Sequence, residues 1–217
     1  MIQILSPLKP GKLIVAMSIL AIAGLGSTSG VLAADRPVTE IAATQGTPSD
    51  FIRGLGERAI AELTGNDIDD TTRRQRFVTL MDDHFKMDMV ARFVLGRYWR
   101  EFSDTELADF ADLLQDYLAL AYANQFRNFN GEQFVVGNAT VNNNDTFVAS
   151  QVLRADGPPI NISWRLRDFD GEYRIIDITV EGLSMGITQR DEFASVIQNN
   201  GGRVSALTDA LKQKIGK

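Results

Sequence analysis

Tyr173-Arg174-Ile175-Ile176-Asp177-Ile178-Thr179-Val180-Glu181-Gly182, continued by Leu183-Ser184-Met185-Gly186-Ile187 as far as Ile197, reads as a strand, a turn and a helix. From Tyr173 to Glu181 the side chains sort by period two. Tyr173, Ile175, Asp177, Thr179 and Glu181 share one face, and Arg174, Ile176, Ile178 and Val180 share the other. The second face is mostly apolar and is expected to be the buried one. Gly182 breaks the strand. From Ile187 onward Phe193, Val196 and Ile197 recur at helical spacing, with the charges of Arg190 to Glu192 between them. Strand and helix must therefore fold against each other.

Upstream of this stretch the apolar period is also two. Gln133 to Val136 reads as a short strand, continued by Ala139 to Val141 across a bend at Gly137, with Asn142 to Asp145 as a turn. Thr146 to Arg154 is a longer strand, and Ala155 to Pro159 connects it to the next. There Ile160, Ile162, Trp164 and Leu166 alternate with Asn161, Ser163, Arg165 and Arg167, and Phe169-Asp170-Gly171 turns into the final strand. Turns this short between consecutive strands imply an antiparallel meander.

Still further upstream the period is helical. Thr47 reads as an N-cap with Pro48 at the first helical position, and Phe51, Leu55, Ala59 and Leu63 form the buried stripe. A second helix begins near Asp70, with Phe77, Leu80, Met81, His84 and Phe85 on one face. Asp88 is read as the cap of a short third helix that ends at Gly96. Ser103-Asp104-Thr105-Glu106 is a capping box, and it opens the longest helix. Its wide face carries Leu107, Phe110, Leu114, Tyr117, Leu118, Ala121 and Tyr122 and is continued by Phe126 and Phe129. Such a face suits either a core or a cavity wall. Helices, then antiparallel strands, then a helical tail give an α+β fold: a twisted antiparallel sheet packed against several helices. The apolar sheet face is expected to lie under the long helix and the Ile187 to Ile197 helix.

The first residues have a different character. Lys9 and Lys12 precede an apolar run from Leu13 to Leu25, and small residues follow to Ala33 and Ala34, the layout of a secretory signal peptide. The run is shorter than the roughly 20 apolar residues of a membrane-spanning helix, which argues against an uncleaved anchor. The expected division is a signal peptide over residues 1–34 and one domain over residues 35–217. The 217 residues include no cysteine, so neither a disulfide nor a lipoprotein anchor is available. The net charge of −6 becomes more negative once Lys9 and Lys12 leave with a leader. An acidic chain of this kind argues against nucleic acid as a partner and against a polybasic membrane dock.

Candidate chemical groups are few. His84 is the only histidine, and its neighbours Asp82 and Asp83 point to other helix faces, so a structural role outweighs a metal or acid–base one. Asp177 and Glu181 stand four residues apart on one strand face, about 13 Å along the chain. A two-carboxylate glycosidase site needs about 5 to 9.5 Å. Gly201-Gly202 reads as a helix C-cap rather than a phosphate loop. Arg97-Tyr98-Trp99-Arg100 either presents guanidinium and aromatic groups to a partner or anchors two helices with solvated arginines.

Val180-Glu181-Gly182-Leu183-Ser184-Met185, followed by Thr188, Arg190, Phe193 and Ile197 and then by Gly201-Gly202 and Leu207, closely resembles the C-terminal signature of a known family. This is the periplasmic phospholipid-carrier (MlaC) family of the maintenance-of-lipid-asymmetry pathway, which includes the Ttg2 toluene-tolerance auxiliary proteins of ABC transporters. Val94-Leu95-Gly96-Arg97-Tyr98-Trp99-Arg100 and the helix from Ser103 to Tyr122 supply a second match in the right order. Together the two cover most of the chain beyond the leader.

The resemblance implies a deep apolar pocket between sheet and helices that accepts phospholipid acyl chains. It implies a monomeric periplasmic carrier, not an enzyme, with no metal and no cofactor beyond the phospholipid cargo. Its expected partners are an outer-membrane lipoprotein complex and an inner-membrane MCE-domain ABC transporter. A hopanoid-associated relative in the same family leaves hopanoid as the alternative cargo. With the periodicity, the resemblance marks Phe110, Leu114, Tyr117, Leu118, Val148, Val152, Trp164, Ile176, Ile178, Val180, Met185, Phe193 and Ile197 as lipid-binding walls. It also marks Arg97 and Arg100 as partner-binding. Two readings of other classes stand beside it: a small NTF2-like hydrolase or isomerase, which would need converging acid–base groups, and a protein-binding adaptor with a filled core.

Overall fold

Thr47 caps the first helix, α1 (Pro48–Leu63), in a complete capping box with Asp50. In the computed structural model, which describes residues 46–65, 67–155 and 157–217, this is the first regular element of the described residues. The expected leader over residues 1–34 lies outside the described residues. The helix ends against Arg73, whose buried guanidinium donates to the Leu63 and Gly65 carbonyls at 2.8 Å each. A charged donor thus satisfies carbonyls that the end of the helix leaves free.

Helix α2 (Asp70–His84) is capped by Asp69, which accepts from the Thr72 N–H at 2.9 Å. Helix α3 (Met87–Leu95) starts earlier than the sequence suggests. Asp88 is not its cap: it lies in the first turn, and Lys86 takes the N-cap position without a side-chain bond. The sheet secures this start instead, because the Lys86 N–H donates to the Ile175 carbonyl at 3.0 Å. Gly96, at φ 57°, ends α3 and opens a 3₁₀ turn over Gly96–Glu101. The Ser103 capping box then opens α4 (Asp104–Tyr122), the longest helix among the described residues. A second 3₁₀ turn, Ala123–Asn128, follows α4; Phe126 on it packs against the sheet-side apolar cluster and Phe129 caps its end.

Five strands follow in the order in which they occur: β1 (Gln133–Asn142), β2 (Asp145–Leu153), β3 (Ile160–Phe169), β4 (Glu172–Val180) and β5 (Leu183–Ser184). All neighbours are antiparallel, the expected meander. The register of β1 shifts between Val136 and Ala139, at the bend expected near Gly137. Asp170 and Gly171 both take positive φ in a two-residue hairpin turn, where Asp and Gly are favoured. Glu181 and Gly182 make a similar turn, pairing Val180 with Leu183 in a strand too short to show as a pattern.

β4 departs from the simple alternation. Arg165 pairs with Asp177 but Leu166 pairs with Ile175, so Ile176 is the extra residue of a β-bulge. The bulge turns Ile175 and Ile176 to the same side. Ile175, expected on the polar face, is fully buried beside Val148 and Leu166, and Tyr173 packs on the same cluster.

Helix α5 (Met185–Asn199) begins at Ser184, whose hydroxyl accepts from the Ile187 N–H at 3.0 Å. It ends at Gly201-Gly202, where the Gly202 N–H donates to the Ile197 carbonyl at 2.9 Å. Helix α6 (Ser205–Ile215) completes the fold. Among the described residues, six helices beside a five-stranded open sheet make it α+β.

The core is in two parts. One is helical, built by α3, α4, α5 and α6 around Phe110, Leu114, Phe193, Ile197 and Leu207. The other lies between the sheet and helices α1 and α2, around Ile52, Leu55, Leu80, Val148, Leu166 and Ile175. The long helix therefore does not cover the sheet, contrary to expectation. Helix α1 occupies that place because Gly56, lacking a Cβ, lets its backbone settle onto the Phe134 ring of β1.

Candidate functional site

The two apolar clusters do not close on each other. Between them lies a cavity of about 300 Å³, the low end of small-molecule sites and about twice the engineered apolar cavity that stays dry and takes up benzene. Leu55, Leu63 and Leu80 of the sheet-side cluster form one wall. Met81, Met87, Val94 and Leu114 of the helical cluster form another. Trp164, Ile176, Ile178 and Val180 make the sheet floor, and Met185, Gly186 and Gln189 of α5 close one side.

Each strand residue reaches the cavity for a local reason. Period-two alternation keeps Ile176, Ile178 and Val180 on the helix side of the sheet, and the bulge brings Ile175 to the same side. Trp164 stands beside them on β3, and its one polar atom is satisfied: the indole N–H donates to Ser150 Oγ at 2.8 Å. Asp177 belongs to the lining but is committed to the fold. It accepts from the Ser184 hydroxyl at 2.6 Å and from the Gly186 N–H at 3.0 Å, where a carboxylate favours the start of α5.

The other polar groups gather where α4 and α5 face each other. Gln189 is buried, and its amide donates to Glu192 at 3.3 Å. Burial pushes the Glu192 carboxyl above its usual range. Burial, with the nearby Glu192 charge added, likewise raises the Tyr117 and Tyr122 hydroxyls.

Of the residues marked in the sequence as walls, the structure brings together Leu114, Leu118, Trp164, Ile176, Ile178, Val180 and Met185 at this cavity. Phe110, Tyr117, Phe193 and Ile197 lie instead in the helical core, with the Phe110 and Phe193 rings edge-on at 6.0 Å. Val148 is fully buried in the sheet-side core. Val152 pairs with Phe134 and Ile160 and is not part of the lining. Sequence reasoning missed the contributions of α1, α2 and α3, among them Leu55, Phe77, Phe85 and Val90. Their apolar stripes are visible in the sequence, but nothing there separates a stripe facing a cavity from one facing a core.

Arg97 and Arg100 are exposed on the first 3₁₀ turn. Arg97 lies over the Tyr98 ring at 4.9 Å and Arg100 over Trp99 at 5.2 Å, with Arg92 also over Trp99 at 5.3 Å. His84 is tied to the Leu80 carbonyl through Nδ1 at 2.9 Å and packs on Phe51. Glu181 accepts from the Asn161 backbone N–H. Among the described residues no group of three His, Cys, Asp or Glu side chains could hold a metal ion, and no helix is long and apolar enough to cross a membrane. Depressions of about 390 Å³ on the outer sheet face and about 530 Å³ between α2, α4 and the C-terminus are larger. The first is floored by Gly137, Ala149, Ser163 and Thr179, and the second is edged by Arg74, Asp116 and Lys217, so neither offers a deep apolar interior.

The sequence pattern of the MlaC protein family matches residues 55–213, nearly the whole described fold. The chain belongs to the MlaC family. A curated member of similar sequence is the toluene tolerance protein Ttg2D of Pseudomonas putida, 21% identical over 193 residues, spanning 86% of this chain and 89% of that protein. Among solved structures, a phospholipid-binding protein from Ralstonia solanacearum, determined in complex with a phospholipid, superposes with a TM-score of 0.67 at 20% identity. The match covers 79% of this chain and all of the other. That likeness establishes the shared fold.

Proposed function

We propose that this MlaC-family chain is a periplasmic phospholipid carrier that shields acyl chains in its cavity. The observation that carries the reading is the gap between the two cores, an apolar space walled by helices and sheet. The phospholipid complex of the Ralstonia protein supports it. Each buried CH₂ is worth about 0.8 kcal/mol, so a lipid leaves a bilayer readily only for an equally apolar enclosure.

In this reading the carrier exchanges lipid with an outer-membrane lipoprotein complex and an inner-membrane MCE-domain ABC transporter, and covalent chemistry has no part. The family and the Ttg2D relative support a place in such a system. Arg97 and Arg100, exposed on an acidic molecule and braced by aromatic rings, suit the docking contact. Organic extraction of protein purified from the periplasm without detergent, followed by mass spectrometry, tests the reading. About one phospholipid per chain is expected. A hopanoid in its place would change the cargo, and no stoichiometric lipid would return the protein to an adaptor role.

A further inference from the structure

The cavity wall is apolar except at one end, and most polar groups near it are already engaged. The Trp164 N–H is taken by Ser150, and both Asp177 oxygens are taken by Ser184 and Gly186. Two polar side chains of the lining keep capacity to spare: Gln189 from α5 and Tyr122 from α4. Both line the same cavity, from helices that meet where the Tyr117 and Phe193 rings pack at 6.3 Å.

Gln189 is only 8% exposed, yet its bond to Glu192 spans 3.3 Å, beyond the usual range for such bonds. Tyr122 makes no hydrogen bond among the described residues. An amide N–H and a phenol O–H are both donors, and polar groups beside an apolar ligand site orient what binds there. The opposite end of the cavity, at Leu55, Leu63 and Leu80, offers hydrocarbon contacts alone.

The occupant must therefore bring an acceptor to one end and hydrocarbon to the other. A phosphate does not fit the acceptor position, since it would face the Glu192 carboxyl. A neutral carbonyl does. We propose that Tyr122 and Gln189 bind the ester carbonyls that join acyl chains to glycerol, making the cavity selective for ester-linked lipids over lipids whose chains lack that carbonyl. The inference rests on the carrier reading and adds a chemical criterion for the cargo: a hydrocarbon skeleton without ester groups leaves both donors unanswered, which disfavours it.

The test uses the delipidated full chain, loaded from vesicles holding equal amounts of a diester phosphatidylethanolamine and its diether analogue with matched chains. Both share headgroup and hydrocarbon, so only the carbonyls differ. Extraction and mass spectrometry of the bound lipid should show the diester enriched roughly threefold to tenfold, the worth of about one neutral hydrogen bond. Tyr122→Phe and Gln189→Leu should each lower the ratio, and the double variant should bring it near one. Normal loading with a ratio of one in the unaltered protein overturns the proposal, and so does a ratio that survives the double variant. Failure of the folded protein to load either lipid overturns the carrier reading itself.

Discussion

The indole N–H of Trp164 and the hydroxyl of Ser150 meet at 2.8 Å across β3 and β2, with Ser150 only 3% exposed, so the cavity floor presents a ring and no free donor. Ser150→Ala removes the acceptor and leaves that N–H facing apolar surroundings. The expected loss is about 1–3 kcal/mol, measured as a lower denaturant midpoint in delipidated protein, whereas Ser150→Thr keeps the hydroxyl and should lose less.

Gly56 and Phe134 fix how closely α1 approaches the sheet. A Cβ at position 56 overlaps the Phe134 ring, which cannot move freely because it also packs edge-on against Trp164 at 6.3 Å. Gly56→Ala is expected to destabilise by about 1–3 kcal/mol, as overpacking does. Adding Phe134→Leu should recover part of the loss, and a calorimetric double-mutant cycle measures that coupling.

Val180 and Val148 lie on the same side of the sheet, one at the cavity and one fully buried in the core. Val180→Trp adds bulk to open space, so the fold should persist while bound lipid falls. Val148→Trp adds the same bulk to a packed core and should lower the unfolding midpoint markedly. The midpoint must be read on delipidated protein, since bound ligand by itself raises apparent stability. A Val180→Trp variant that keeps its lipid and unfolds early would show that the cavity floor is packing rather than binding surface.

Glu192 gives the protein a pH dependence of known sign. Burial raises its carboxyl above the ordinary value, so in the window between the two the folded state binds more protons than the unfolded state. Its contribution therefore favours folding more as pH falls through the raised value and levels off below the ordinary one. Glu192→Gln, neutral at every pH, should be more stable than the unaltered protein at pH 7. The advantage should shrink as pH falls toward 4, as paired thermal melts would show.

Reversing Arg97 and Arg100 to glutamate should slow lipid transfer to acceptor complexes without emptying the cavity. Exposed charges at a contact act mainly on association rate and its salt dependence. Equal transfer rates at low salt would reduce the two arginines to solvated surface groups.

Much of this architecture can be read from residue order alone, because helix caps and hairpin turns are local. Thr47 with Asp50, Ser103 with Glu106 and Gly201-Gly202 each mark a helix end by chemistry contained within a few residues. The antiparallel meander follows equally from short turns such as Asp170-Gly171. The start of α3 could not be read this way, because its backbone is held by the Ile175 carbonyl of a strand far along the chain.

The floor of the cavity was legible in Trp164, Ile178 and Val180, where period two survives. The adjacent pair Ile175-Ile176 was the one local sign that alternation fails, and which of the two is the bulge depends on pairing with Leu166 and Arg165. Phe193 and Val180 are equally apolar in sequence, yet one is locked between Phe110 and Tyr117 and the other borders open space. Periodicity records which face of an element turns away from water. Whether that face meets another side chain or a void is decided by how far apart neighbouring elements are held, here in part by Gly56 on Phe134.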